Sequence, residues 1–121
     1  MAERIVLYGT LRRDSTQFFA FGLDYRLSYL GPCRLGGTIH DLGDYPAFRA
    51  GEGTVHGELY EILDTDVLTD LDVYEGVTAT PALYIRRQIE IDEPADMAWI
   101  YEYVTDPPAG SKVESGDWSR R

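Results

Sequence analysis

Two places in this sequence hold residue types and spacings that could do chemistry. The first is Glu75, in the run Leu71-Asp72-Val73-Tyr74-Glu75-Gly76. Spacing predicts a helix ending there, and the unpaired carbonyls of a helix C-terminus carry partial negative charge, so a carboxylate at that point is electrostatically misplaced. Glu61, Asp64, Asp66, Asp70 and Asp72 place like charge nearby in sequence, and Tyr74 and Val77 flank the residue with apolar surface. Like charge and burial both favour the protonated carboxyl and push its pKa toward neutrality, where it can exchange protons with a reacting group. Position alone fits equally a solvated glutamate on an acidic helix end.

The second place is the corner Tyr8-Gly9-Thr10-Leu11, which follows the apolar run Ile5-Val6-Leu7. A glycine just past a strand lets backbone approach a ligand closely, and successive amides in such a turn form a concave site suited to one carboxylate. Arg12 and Arg13 follow directly. An ordinary strand-ending turn has the same composition. Other chemistries lack their residues. There is no Gly-x-Ser-x-Gly elbow, phosphate loop or Gly-x-Gly-x-x-Gly run, and His40 and His56 lack the helical spacing of a zinc motif. Cys33 with His40 stays open as a nucleophile pair, against the alternative of a buried cysteine. Arg86-Arg87 and Arg120-Arg121 read as surface charges.

These residues need elements to position them. Ile5 to Tyr8 reads as a short buried strand, and Asp14-Ser15 as the cap of a short helix carrying Phe18, Phe19 and Phe21. Leu27 to Leu42, broken by Gly31-Pro32 and Gly36-Gly37, reads as two short strands, followed by a turn at Asp44-Tyr45-Pro46. Thr54 to Leu63 and Leu83 to Ile91 have strand composition, and Met97 to Val104 sets Met97, Trp99, Tyr101 and Tyr103 on one side. One helix starts after Asp64-Thr65, points Val67, Leu68, Leu71 and Tyr74 inward and ends at Gly76. Unlike segments in this order predict an α+β domain built on a small curved mixed sheet or barrel with short flanking helices.

The 121 residues fit a single domain, 1–121, large enough for one hydrophobic core. A net charge of -10 repels phosphate backbones and anionic lipid, so neither nucleic acid nor a membrane surface is an expected partner. One cysteine excludes an intrachain disulfide and a thiolate zinc cluster. With the short apolar run at the N-terminus and no stretch long enough to span a bilayer, a cytoplasmic location is expected.

Taken together, the segments resemble the γ-glutamylcyclotransferase-like superfamily, with γ-glutamylamine cyclotransferases and small bacterial YtfP-like proteins as the nearest branches. Val6 to Arg12 matches the family's Tyr-Gly-(Ser or Thr)-Leu loop, and Leu71 to Gly76 matches the segment holding its catalytic glutamate. The likeness continues through Asp44 to Ala47, Val55 to Tyr60, Leu83 to Arg87, Ala98 to Tyr103 and Ser115 to Trp118, nearly the whole chain. Arg13-Asp14 departs from the glycine relatives often carry soon after the loop, and Val77 to Thr80 is short of polar groups. The resemblance implies a cofactor-free, metal-free reaction on a small γ-glutamyl compound. The α-amine attacks its own γ-carbonyl, closing 5-oxoproline and expelling an amine, with Glu75 as general acid/base and Tyr8, Gly9, Thr10 and Leu11 cradling the substrate. It also implies Tyr84 and Tyr103 as pocket residues, for which packing is the alternative role. A cyclotransferase of a secondary-metabolite intermediate and a catalytically idle binding domain on the same fold stay open, as do the leaving amine and the oligomeric state.

Overall fold

The apolar run at the N-terminus forms β1 (Arg4–Leu7), and its place at the middle of the sheet follows from having no polar face. Ile5 and Leu7 point to one side, Val6 and Tyr8 to the other, and all four are buried. The computed structural model describes residues 3–9, 11, 15–43 and 45–121. They form an α+β fold whose five strands run in the order β2-β3-β1-β5-β4. β2 spans Leu27–Asp41, β3 Pro46–Ile62, β4 Tyr84–Ile91 and β5 Asp96–Tyr103. β1 lies antiparallel to β3, with Ile5 opposite Tyr60, and parallel to β5, with Ile5 beside Trp99. The sheet is therefore mixed, and it curls: edge strands β2 and β4 meet at one end, where Arg34 bridges to Glu93 and its amide donates to the Glu93 carbonyl at 2.8 Å.

Curling gives the sheet two unlike faces. The concave side holds Val6, Leu35, Ile39, Phe48, Ile100 and their neighbours and is closed by Trp118 from a C-terminal turn. The other side carries the helices α1 (Thr16–Ala20), α2 (Leu23–Arg26) and α3 (Asp66–Tyr74), packed over Ile5, Leu7, Tyr60, Tyr84 and Tyr101. Ser15 caps α1 by accepting from the Phe18 amide at 3.0 Å; Asp14 lies outside the described residues.

The two short strands expected between Leu27 and Leu42 are one strand of 15 residues, and β3 starts at Pro46, not at Thr54. Its glycines act as bulges rather than terminators: the pairing steps from Gly36↔Thr54 to Gly37↔Ala50, leaving Gly51-Glu52-Gly53 as extra residues on β3. This bent hairpin supplies much of the curvature. In the turn expected at Asp44-Tyr45-Pro46, Asp44 lies outside the described residues and Pro46 already belongs to β3.

α3 matches its expected bounds. Asp64 receives the Asp66 amide at 3.0 Å, and Val67, Leu68 and Leu71 are buried. Its end is a Schellman motif. Val77 N–H donates to the Asp72 carbonyl at 2.9 Å and Gly76 N–H to the Val73 carbonyl at 3.1 Å, with Gly76 at φ +78°. That conformation suits glycine, and a Cβ there would also lie 3.3 Å from Leu83 Cδ1. Gly76→Ala is expected to lower unfolding stability by about 1 kcal/mol in denaturant titration. A neutral result would mean the motif does not hold the helix end.

Candidate active site

The Schellman turn fixes where α3 stops, and so where Glu75 stands. Its amide donates to the Leu71 carbonyl at 2.8 Å, and its side chain enters a cavity of about 290 Å³, small for a ligand site. Among the described residues lining the cavity Glu75 is the one charged group, and its carboxyl makes no hydrogen bond or ion pair with any described residue. Burial raises its pKa from the ordinary 4.5 to about 7. The acidic neighbours expected to share in that shift do not cause it. Arg26 pairs with Asp64 at 3.0 Å and Asp70 at 2.9 Å, and Arg86 pairs with Asp72 at 2.7 Å, so the acids closest in sequence are matched by guanidinium groups.

Three buried phenols face this carboxyl. Tyr8 donates its proton to the Tyr101 carbonyl at 2.6 Å, Tyr84 to the Pro46 carbonyl at 2.6 Å, and Tyr101 to Asp72 Oδ1 at 2.8 Å. Burial foremost, and then for Tyr8 and Tyr84 the nearby Glu75, push these phenols far above their ordinary range. In Tyr101 burial is again the main cause, with the bond to Asp72 next. They stay protonated with their protons committed to the protein, so each can offer a substrate only oxygen lone pairs. Glu75 and three phenol oxygens thus make the cavity floor rich in acceptors, a surface that fits an ammonium or amine. The mouth differs: Tyr45, Tyr74 and Leu83 are all exposed there, and Tyr74 meets Phe21 edge-on at 5.0 Å instead of continuing the buried helix stripe.

The loop expected to cradle substrate does border the cavity. Tyr8, Gly9 and Leu11 line it, and Thr10 lies outside the described residues. Gly9 has a steric reason to be glycine, since a Cβ there would sit 2.3 Å from Cγ of Pro46, the residue whose carbonyl holds Tyr84. Tyr84 lines the cavity; Tyr103 stands behind it, its ring edge-on to Tyr84 at 5.4 Å, and is not a lining residue. Cys33 and His40 do not pair. The His40 ring meets Thr38 Oγ1 at 2.9 Å and Ser111 Oγ at 3.1 Å, tying the C-terminal segment to β2.

Sequence reasoning missed Tyr101, Pro46 and the Arg86–Asp72 pair. Arg86 is no free surface charge: it grips Asp72 through Nε at 2.7 Å and Nη2 at 3.1 Å and stacks over Trp99 at 4.4 Å. Strand alternation could have found Tyr101, which shares a side with Tyr103, but alternation does not say which of the two reaches the cavity.

One half-buried carboxyl, poised near neutrality among phenols in an apolar cavity, is the layout of a small-molecule acid/base site. Comparison with known proteins identifies the family. The family model described as gamma-glutamyl cyclotransferase, AIG2-like, matches residues 5–120, and this chain belongs to that family. A Vibrio cholerae protein named provisionally as a gamma-glutamylcyclotransferase is 34% identical over 129 residues, spanning 100% of this chain and 99% of its own. The solution structure of ytfP from Escherichia coli superposes with a TM-score of 0.68 at 32% identity, covering 95% of each chain. An AIG2-like protein from Mus musculus shares the fold, with a TM-score of 0.71 at 24% identity over 88% of this chain and 80% of that one. Among the described residues no cluster of three or more metal-ligating side chains occurs, and no helix is long and apolar enough to cross a membrane.

The raised pKa of Glu75 has a consequence for stability with a definite sign. The unfolded chain gives up this proton near pH 4.5 and the folded chain near 7, so the group's contribution is intact below 4.5 and is lost as pH rises to 7. Glu75→Gln keeps the shape without the charge. Its stability should match wild type at pH 4 and exceed it at pH 8, by on the order of 2–3 kcal/mol. Urea unfolding of both proteins across this range checks it, and a gap independent of pH would remove burial as the cause.

Proposed function

We propose that this chain is a cyclotransferase that releases 5-oxoproline and a free amine from a γ-glutamyl compound, with Glu75 as the general acid/base. The supporting observation is the environment of Glu75, a carboxyl poised near pH 7 by burial in a cavity where the protons of Tyr8, Tyr84 and Tyr101 are bound elsewhere. The α-amine of the substrate arrives largely as an ammonium. It lies against the carboxylate of Glu75 and the phenol oxygens, gives its proton to Glu75 and attacks the γ-carbonyl of the same molecule. As the tetrahedral intermediate collapses, Glu75 returns that proton to the departing nitrogen, and the ring nitrogen sheds its second extra proton by the same route, so 5-oxoproline leaves as a neutral lactam and the amine as an ammonium. Holding the glutamyl chain folded supplies the attack geometry, and the small cavity walled by Tyr8, Gly9 and Leu11 suits that task.

The reaction consumes no cofactor, and the catalyst ends in the state in which it began. With the glutamyl group on the floor, the leaving amine points to the mouth between Tyr45, Tyr74 and Leu83. The described residues there, Tyr45, Tyr74 and Leu83, offer aromatic and apolar contact, which suits an amine with an apolar or aromatic body.

Turnover of a γ-glutamyl amine to 5-oxoproline is expected for the wild type and should fall by about two to four orders of magnitude in Glu75→Gln, with the fold retained. A folded variant with near-normal turnover would show that Glu75 is not the base. Acetylating the α-amine of the substrate should abolish release; continued release would mean water or a protein nucleophile attacks instead. A panel pairing γ-glutamyl aromatic amines with γ-glutamyl amino acids should show the former turned over with the higher kcat/KM, and the reverse order would refute the assignment of the mouth.

A further inference from the structure

Arg86, Asp72, Trp99 and Glu3 form a network outside the cavity that the proposed reaction does not use. Asp72 sits three residues before Glu75, on one side of α3 and about one turn away, where Cβ atoms lie about 5–6 Å apart. Both of its oxygens are taken by Arg86, at 2.7 and 3.1 Å, and Oδ1 also accepts the Tyr101 phenol at 2.8 Å. Arg86 faces Tyr101 across the β4–β5 ladder and stacks on Trp99, whose indole N–H donates to Glu3 at 3.1 Å. The network reaches the cavity by two routes. Tyr101 lines it directly, and the Tyr101 carbonyl holds the proton of Tyr8.

We propose that Arg86 and Asp72 are a positioning pair for Glu75: the ion pair anchors the Tyr101 phenol by its proton and leaves no net charge one helical turn from the catalytic carboxyl. This rests on the reading of Glu75 as the acid/base. Among the described residues that line the cavity, the groups around Glu75 are otherwise neutral: Tyr8 at the end of β1, Tyr84 on β4, Tyr101 on β5, Tyr45 before β3 and Tyr74 on its own helix. Other nearby charges are matched. Asp70 pairs with Arg26 at 2.9 Å, and Glu102, which acts on Tyr8 from β5, pairs with Arg87 at 2.9 Å. Among these described pairs, that of Asp72 and Arg86 is the one bonded to a phenol of the cavity lining, so their separate removal acts on Glu75 through both the field and Tyr101.

Removal of either partner must therefore act on Glu75 with opposite sign. Asp72→Asn leaves the guanidinium uncompensated and loosens the hold on the Tyr101 proton, and both changes favour the charged carboxyl. Arg86→Gln strands the Asp72 carboxylate one turn away, which disfavours it. A merely structural pair would lower the melting temperature in both variants without moving Glu75 in opposite directions.

The test is a titration of Glu75 followed by its side-chain carboxyl carbon in protein labelled at glutamate, with Glu75→Gln supplying the assignment. Relative to wild type, the midpoint is expected to fall by roughly 0.3–0.5 pH unit in Asp72→Asn, rise by a similar amount in Arg86→Gln, and return close to wild type in the double variant. Arg86→Lys, which keeps the charge and loses the fork, should stay near wild type. Equal midpoints throughout, or shifts of one sign in both single variants, would overturn the pairing. Should Asp72→Asn fail to fold, Arg86→Gln against Arg86→Lys decides alone, since only the first strips the charge. The titration needs no turnover, so a wild type that releases no 5-oxoproline would refute the proposed reaction and leave this result standing.

Discussion

A carboxyl group without like charge pressing on it stays protonated near neutral pH where water is kept from its charged form, and the architecture around Glu75 meets that condition. The residue is not fully buried, since it lines an open cavity. The fold does this by ending α3 at the cavity wall, with Tyr8, Tyr84 and Tyr101 as a floor and an open apolar mouth. Each phenol would be a poor neighbour if its proton pointed inward, since a donor would stabilise the carboxylate and undo the effect of burial. Spending those protons on Pro46, Tyr101 and Asp72 keeps the floor polar without making it a donor surface.

Two cores make this arrangement rigid. β1 has only four residues, yet its alternation sends Val6 into the concave core and Ile5 and Leu7 into the helix-covered one, so both layers share one backbone. Tyr8 continues that alternation, which is why a residue belonging to the concave core also reaches the cavity. The Gly9–Pro46 contact then joins the end of β1 to the start of β3, where a side chain any larger than hydrogen would part them.

Much of this could be read before any coordinates, and the remainder has identifiable physical reasons for being hidden. α3 was legible because apolar spacing, an acidic start and a terminal glycine all agree over a short stretch. Glu75 and the Tyr8 corner were legible as positions, and the family resemblance gave them roles. The bent β2–β3 hairpin was not, because glycine within a strand has the same appearance in sequence whether it ends the strand or bulges it. The source of the raised pKa was legible only in part, for a related reason: burial was expected and is the cause, but the acidic residues that crowd Glu75 along the chain are neutralised by Arg26 and Arg86 from other elements. Long-range ion pairs leave no local trace, and neither does the choice between Tyr101 and Tyr103 for the cavity wall.

The bond from Tyr8 to the Tyr101 carbonyl spans 93 positions, and the one from Tyr84 to Pro46 spans 38. The β2–β3 hairpin joins neighbours and can form early, whereas a cavity whose walls come from both ends of the chain forms only after the slowest loop has closed. The hairpin alone, without the first strand docked beside the fifth, brings together none of the Tyr8–Tyr101 wall. The cavity is therefore a non-local feature, assembled only where the chain's most distant segments meet.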